Sequence, residues 1–146
     1  MYNVNEKEFL SVINLNIDKR IKYFKNMVCD QCVLWLSYDG CGNLIGNYDT
    51  DGNECIYVWP NEIYGLHFLN KTKFKDKIAA TNLKAINIYD FLREYIDELM
   101  GNGIFIMMFP TDNGGALITA KDFKIMMDEE LSRYDDLDEK YNDDDD

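Results

Sequence analysis

The sequence predicts an α+β domain: an antiparallel sheet of about five strands packed by helices, in the order ααβββααββα. Three observations lead there. Amphipathic stretches of helical period open and close the chain, DKRIKYFKNMV near the start and AKDFKIMMDEELSRY near the end. Short β-branched and aromatic runs (CVLWLSY, CIYVW, IFIMMF) lie between them. The first of these runs are joined by Asp-Gly and Gly-Asn turns of hairpin length, which favour antiparallel neighbours.

Each element has a local reason. Asn5 can cap a first helix, with Glu8 three residues on completing a box-like signal. In the second, Ile17, Ile21, Phe24 and Val28 share one face, and lysines take the other. CVLWLSY ends at the turn DGCGN, LIGNY ends at DTDGN, and CIYVW completes a meander. Pro60 stops that strand, and Asn61 can cap a short helix, EIYGLHFL. After the lysine-rich loop KTKFKDK comes a helix, NIYDFLREYIDELMGNG, capped by Asn87 with Asp90 three residues on and closed by Gly101. IFIMMF reads as a strand buried on both faces, and PTDNGG turns the chain into ALIT. Thr119 with Asp122 caps the last helix, whose inner face is Phe123, Met127, Leu131 and Tyr134. Trp35, Trp59 and Phe109 are the expected structural core, where large aromatic side chains bury the most apolar area.

A chain of 146 residues fits one domain, here residues 1–134. Residues 135–146, DDLDEKYNDDDD, hold eight acids and one lysine, so they carry −7 of the net charge of −12. Such a segment is expected to be disordered, and its charge says nothing about the folded body. No apolar run reaches the roughly 18 residues of a membrane span. The opening MYNVNEKEFL lacks the basic start and apolar run of a signal peptide. A cytoplasmic protein with reduced cysteines is the expectation.

Several chemistries find little support. Cys29, Cys32, Cys41 and Cys55 contain one C-x2-C pair, but Cys41 and Cys55 are too far apart for a zinc ribbon. CDQC follows a helix, whose negative end disfavours a thiolate. DTDGNE lacks the register of a calcium loop. His67 is the only histidine, and Ser11, Ser37 and Ser132 lie in no nucleophile-elbow context. The glycines of TDNGGAL open onto a strand, which a phosphate loop does not. Glu94 and Glu98 read as the solvated side of an amphipathic helix. No cofactor and no metal are expected. No broad basic surface supports nucleic-acid binding.

Five segments taken together resemble a known family: DKRIKYFKNMV, VLWLSYDGCGN, VWPNEIYGLHF, IYDFLREYI and FPTDNGGALITAKDFKIMMDEEL. They resemble the bacterial domain of unknown function numbered 2750, over roughly residues 6–134. VWP before a short helix and the FPT…G turn before the last helix are the most specific parts. The resemblance implies a small bacterial cytoplasmic protein with no established catalytic residues to carry over. Some small acidic α+β families of this sort are immunity proteins encoded beside toxins, which is an analogy of class.

The residues themselves point to a protein partner. From Asn26 to Asn70 there is no lysine or arginine, but there are six acids: Asp30, Asp39, Asp49, Asp51, Glu54 and Glu62. Tyrosines thread the span. Acids steer a basic partner and tyrosines supply rigid contact area. The expected partner surface is Asp39, Asp49, Asp51, Tyr38, Tyr48 and Tyr57, on a non-enzymatic module of immunity type that masks a basic toxin domain or a regulatory protein. The alternative is a small-molecule or enzymatic domain with a pocket between sheet and helices.

Overall fold

Trp35 and Trp59 face each other across two antiparallel strands, and the sheet extends outward from this pair. The computed structural model describes residues 2–39, 41–70 and 83–143, with side chains described as far as residue 135. The lysine-rich run Lys71–Lys77 therefore lies outside the described residues.

Six strands form one sheet: β1 (Val33–Ser37), β2 (Gly46–Tyr48), β3 (Glu54–Trp59), β4 (Leu83–Asn87), β5 (Phe105–Thr111) and β6 (Gly114–Ile118). Their spatial order is β4-β1-β3-β5-β6, and β2 pairs with the first half of β3. Five helices accompany them among the described residues: α1 (Glu6–Ile13), α2 (Ile17–Gln31), α3 (Glu62–Asn70), α4 and α5 (Ala120–Asp143). α4 is one continuous helix of three parts, Ile88–Asp90, a π-helical stretch Phe91–Tyr95, and Ile96–Gly101.

The expected fold class holds as α+β, with two corrections. The sheet is mixed: β3 and β5 run parallel, with Tyr57 opposite Met107. No hairpin joins these strands. The chain passes through α3, the far-edge strand β4 and α4 before it returns beside β3, and such a connection permits parallel pairing. The sixth strand, β4, was missed because it is an edge strand with little apolar alternation. Only Leu83 of LKAIN is buried, yet the strand pairs with β1 along its whole length. The order is therefore ααβββαβαββα.

Strand alternation divides the side chains between two faces. Trp35, Tyr57 and Trp59 share one face under α3, where the rings of Tyr57 and Trp59 lie 5.4 and 5.9 Å from that of Phe68. Leu34, Leu36, Ile56, Val58, Ile106 and Met108 occupy the other face and are buried. The helices there meet through Phe24, Phe91 and Phe123, with ring centroids 5.8–6.4 Å apart. Trp59 and Phe109 are fully buried, and Trp35 is 8% exposed. Phe109 sits at φ +48° in a bulge of β5 between Met108 and Thr111, which turns the strand end toward α2 and α3. There its ring meets Tyr64 at 4.8 Å and the buried Arg20 guanidinium at 5.7 Å. Arg20 donates to the carbonyl of Gly114 at 2.6 Å and fastens α2 to the β5–β6 turn. Burial holds its pKa below the usual arginine value.

The helix caps are local. Asn5, Asn16, Asn87 and Thr119 accept from backbone N–H groups of the first turns that follow them. α5 runs past Tyr134, and the acidic segment continues it as far as Asp143.

Candidate functional site

Two hairpin loops of the same design border the site. In DGCGN, the Asp39 carboxylate accepts from the backbone N–H of Cys41 at 2.8 Å and of Asn43 at 3.0 Å. In DTDGN, the Asp49 carboxylate accepts from the N–H of Asp51 at 3.0 Å and of Asn53 at 2.7 Å. Each loop also closes with a backbone bond between its first and fifth residues, Asp39 N–H to Asn43 and Asp49 N–H to Asn53. Gly42 and Gly52 supply the left-handed residue, at φ +85° and +84°. The Asp39 carboxyl is held below its ordinary pKa chiefly by the backbone N–H of Asn43. The Asp49 carboxyl is held low first by the side chain and then by the backbone of Asn53. These two aspartates, expected on the partner surface, are turn-formers. Asp51 contributes its backbone N–H to the Asp49 turn and is exposed.

Between this meander and α4 lies a groove of about 300 Å3. Its floor is apolar: Leu44, Ile56, Leu99 and Ile104. Its rim carries Glu54 from β3, Glu98 from α4, and Tyr38 and Tyr95, with no lysine or arginine among the described lining residues. Local structure places each of these. Gly46 lies opposite Ile56, and a Cβ there would meet the Glu54 carboxylate oxygen at 3.1 Å, so the glycine makes room for that side chain. Tyr95 ends the π-helical stretch, a distortion frequent at functional sites. Burial, then the neighbouring Tyr95, pushes the Tyr38 hydroxyl above its usual pKa. Lys84 of β4 comes close, with Nζ 5.1 Å from the centre of the Tyr38 ring. Both glutamates are exposed.

The six residues expected to form a partner surface do not form one patch. Tyr38 lines the groove, and Tyr48 stands on the same sheet face, opposite Glu54 and 71% exposed. Tyr57 points to the opposite face and packs under α3. Glu54, Glu98 and Tyr95 were not singled out as site residues. Glu98 looks in sequence like any solvated glutamate of an amphipathic helix, and only the glycine opposite β3 hints at Glu54.

His67 sits outside the groove, on α3. It packs edge-on to Phe9 at 5.1 Å, with Nε2 4.0 Å from the Asp112 carboxylate. The four cysteines are free thiols. Burial pushes the Cys29 thiol up to about 12 and raises that of Cys55. Among the described residues no group of three or more His, Cys, Asp or Glu is placed to hold a metal ion. No described helix is long and apolar enough to cross a membrane.

Fold and site thus define a small α+β domain with an acid-rimmed groove on one face of a mixed sheet. The chain belongs to the family described as Protein of unknown function (DUF2750), whose family model matches residues 21–127. That stretch contains both Asp turns and the whole groove, and it leaves out α1. Searches among curated proteins and among solved structures find no match.

Proposed function

We propose that the domain is a non-enzymatic protein-binding module of immunity type, which receives a lysine or arginine side chain of a basic partner in the groove. The observation that carries this reading is that Glu54 and Glu98 stand over an apolar floor with no lysine or arginine among the described lining residues. Exposed carboxylates stay hydrated and charged, so they attract a cation from a distance and raise the association rate. The apolar floor suits the methylene stem of a long basic side chain, while its head stays between the carboxylates. Tyr38 and Tyr95 add ring surface for a guanidinium. Tyr48, exposed opposite Glu54, would extend the contact. Both rim carboxylates are exposed, open to the side chain of a partner. The partner would meet the domain in the cytoplasm.

The test starts from the partner captured by the tagged domain in its own host. Glu54→Lys and Glu98→Lys together should slow association at least tenfold and flatten its dependence on salt, with the melting temperature kept. His67→Ala should bind like wild type. Unchanged association by the folded double variant would end the groove reading.

A second reading rests on the same floor. A volume of about 300 Å3 stands at the lower end of small-ligand pockets. A small organic ligand retained by the purified wild type, and lost in Leu99→Trp, would favour it over a protein partner.

A further inference from the structure

A second concavity, of about 280 Å3, lies at the end of α2 and shares no lining residue with the groove. We propose that it binds a methylated ammonium group, such as that of a quaternary amine. Three tyrosines, Tyr2, Tyr23 and Tyr134, line it together with the carboxylates Glu8 and Asp30, and no described lysine or arginine does.

Three independent sources of negative potential converge there. The first is the helix end. α2 is a 15-residue helix whose last turn contains no basic residue, and that turn carries Asp30 where a cation would normally offset the dipole. The second is Glu8, which projects from α1 into the same space. The third is the set of tyrosine rings, whose electron-rich faces attract cations.

The polar groups decide the kind of cation. Glu8 accepts from the hydroxyls of Tyr2 and Tyr23, the latter at 2.6 Å, so each of its oxygens already holds a hydrogen bond. The hydroxyls of Tyr23 and Tyr64 bond each other at 2.8 Å. Since Tyr23 gives its proton to Glu8, Tyr64 is the donor in that pair, and the chain of hydroxyls is satisfied. The Gln31 side chain accepts from the backbone N–H of Tyr2 at 3.3 Å and donates to Asp30 at 2.8 Å. Tyr134 donates to the carbonyl of Asn26 at 3.2 Å. A primary ammonium must trade the water on its three N–H donors for acceptors, of which both Glu8 oxygens and one Asp30 oxygen already hold a hydrogen bond. A quaternary ammonium has no donor to satisfy. It needs only charge and ring surface, and the cavity offers both.

The experiment titrates the full chain with tetramethylammonium and with choline, followed by amide and tyrosine-ring NMR shifts. The uncharged isostere 3,3-dimethylbutanol and unmethylated ethanolamine are the controls. Saturable shifts confined to Tyr2, Tyr23, Asp30 and Tyr134 are expected for the two quaternary ions, with the isostere and ethanolamine at least tenfold weaker. Tyr134→Leu and Asp30→Asn should each weaken choline about tenfold while the fold, checked by melting, is kept. A trimethyllysine peptide run in parallel distinguishes a free amine from a modified side chain. The proposal fails if the isostere matches choline, if neither quaternary ion saturates, or if both folded variants bind choline unchanged.

Discussion

The indole N–H of Trp59 donates to the carbonyl oxygen of Pro110 at 3.0 Å, in a fully buried setting. The bond joins the two motifs that mark the family resemblance most specifically, VWP and FPT. Trp59 ends β3, Pro110 follows the bulged Phe109 in β5, and the two strands are parallel neighbours. A bulge frees a carbonyl from the sheet ladder, and a buried carbonyl left without a donor is costly.

Trp59→Phe should therefore destabilise the domain by about 1–3 kcal/mol, the cost of a buried acceptor left unpaired. Trp59→Ala should cost about 3–5 kcal/mol, because it also empties a large aromatic site. Urea unfolding measures both. Equal losses in the two variants would mean that the hydrogen bond contributes little beside the packing.

Gly65→Ala should destabilise by about 1–3 kcal/mol, the usual cost of overpacking a core. A Cβ at that position would stand 3.0 Å from Trp59 Cε3 and 3.0 Å from Leu83 Cδ1, against two side chains on the sheet face beneath α3. A melting temperature within a degree of wild type would show that α3 can lift off the sheet freely.

The Asp39 and Asp49 turns should make stability depend on acidity. Both carboxyls have pKa values held below normal in the folded chain. What they add is complete above the unfolded carboxylate value of about 3.9, and it is lost as pH falls through their lower folded values. Asn at both positions keeps an acceptor but cannot titrate. The double variant should be less stable than wild type at neutral pH, with the gap closing below about pH 4. A gap that stays constant from neutral pH to pH 3 would contradict the proposed role. Lysine at either position should unfold its turn, which is why the groove test uses Glu54 and Glu98 instead.

Thiol reactivity should follow burial. Cys41 is exposed, whereas Cys29 and Cys55 are buried. With the Cys29 thiol pushed up to about 12, roughly one molecule in ten thousand is a thiolate at pH 8. Ellman's reagent should modify Cys41 promptly and reach Cys29 and Cys55 only on unfolding. Rapid modification of Cys29 in the folded chain would show that the end of α2 opens readily.

What could be read from the sequence was what short-range chemistry determines. Asn5, Asn87 and Thr119 cap their helices because a cap needs only a side-chain oxygen and the next turn. Phe123, Met127 and Leu131 share a buried face because helical period depends on neighbours alone. The parallel pairing of β3 with β5 depends on where a long connection returns, and no local pattern records that. β4 escaped because an edge strand with one buried residue lacks alternation. The groove was only half legible. Tyr38 was marked by its place in an acid-rich span, but Glu98 reaches the groove only because α4 lies beside the meander, and Asp39 and Asp49 turned out to face their own backbones.

The two matching turns also separate what can vary from what cannot. Asp, Gly and Asn at the first, fourth and fifth positions hold each loop, while the side chains of Cys41 in one and of Thr50 and Asp51 in the other make no contribution to the shared bonds. Each loop is thus a socket with a two-residue insert. The inserts can be exchanged, lengthened in charge or neutralised without asking the sheet to move. Under the proposed binding function, point substitution there would retune the surface one insert at a time, while β2 stays clamped between two unaltered frames.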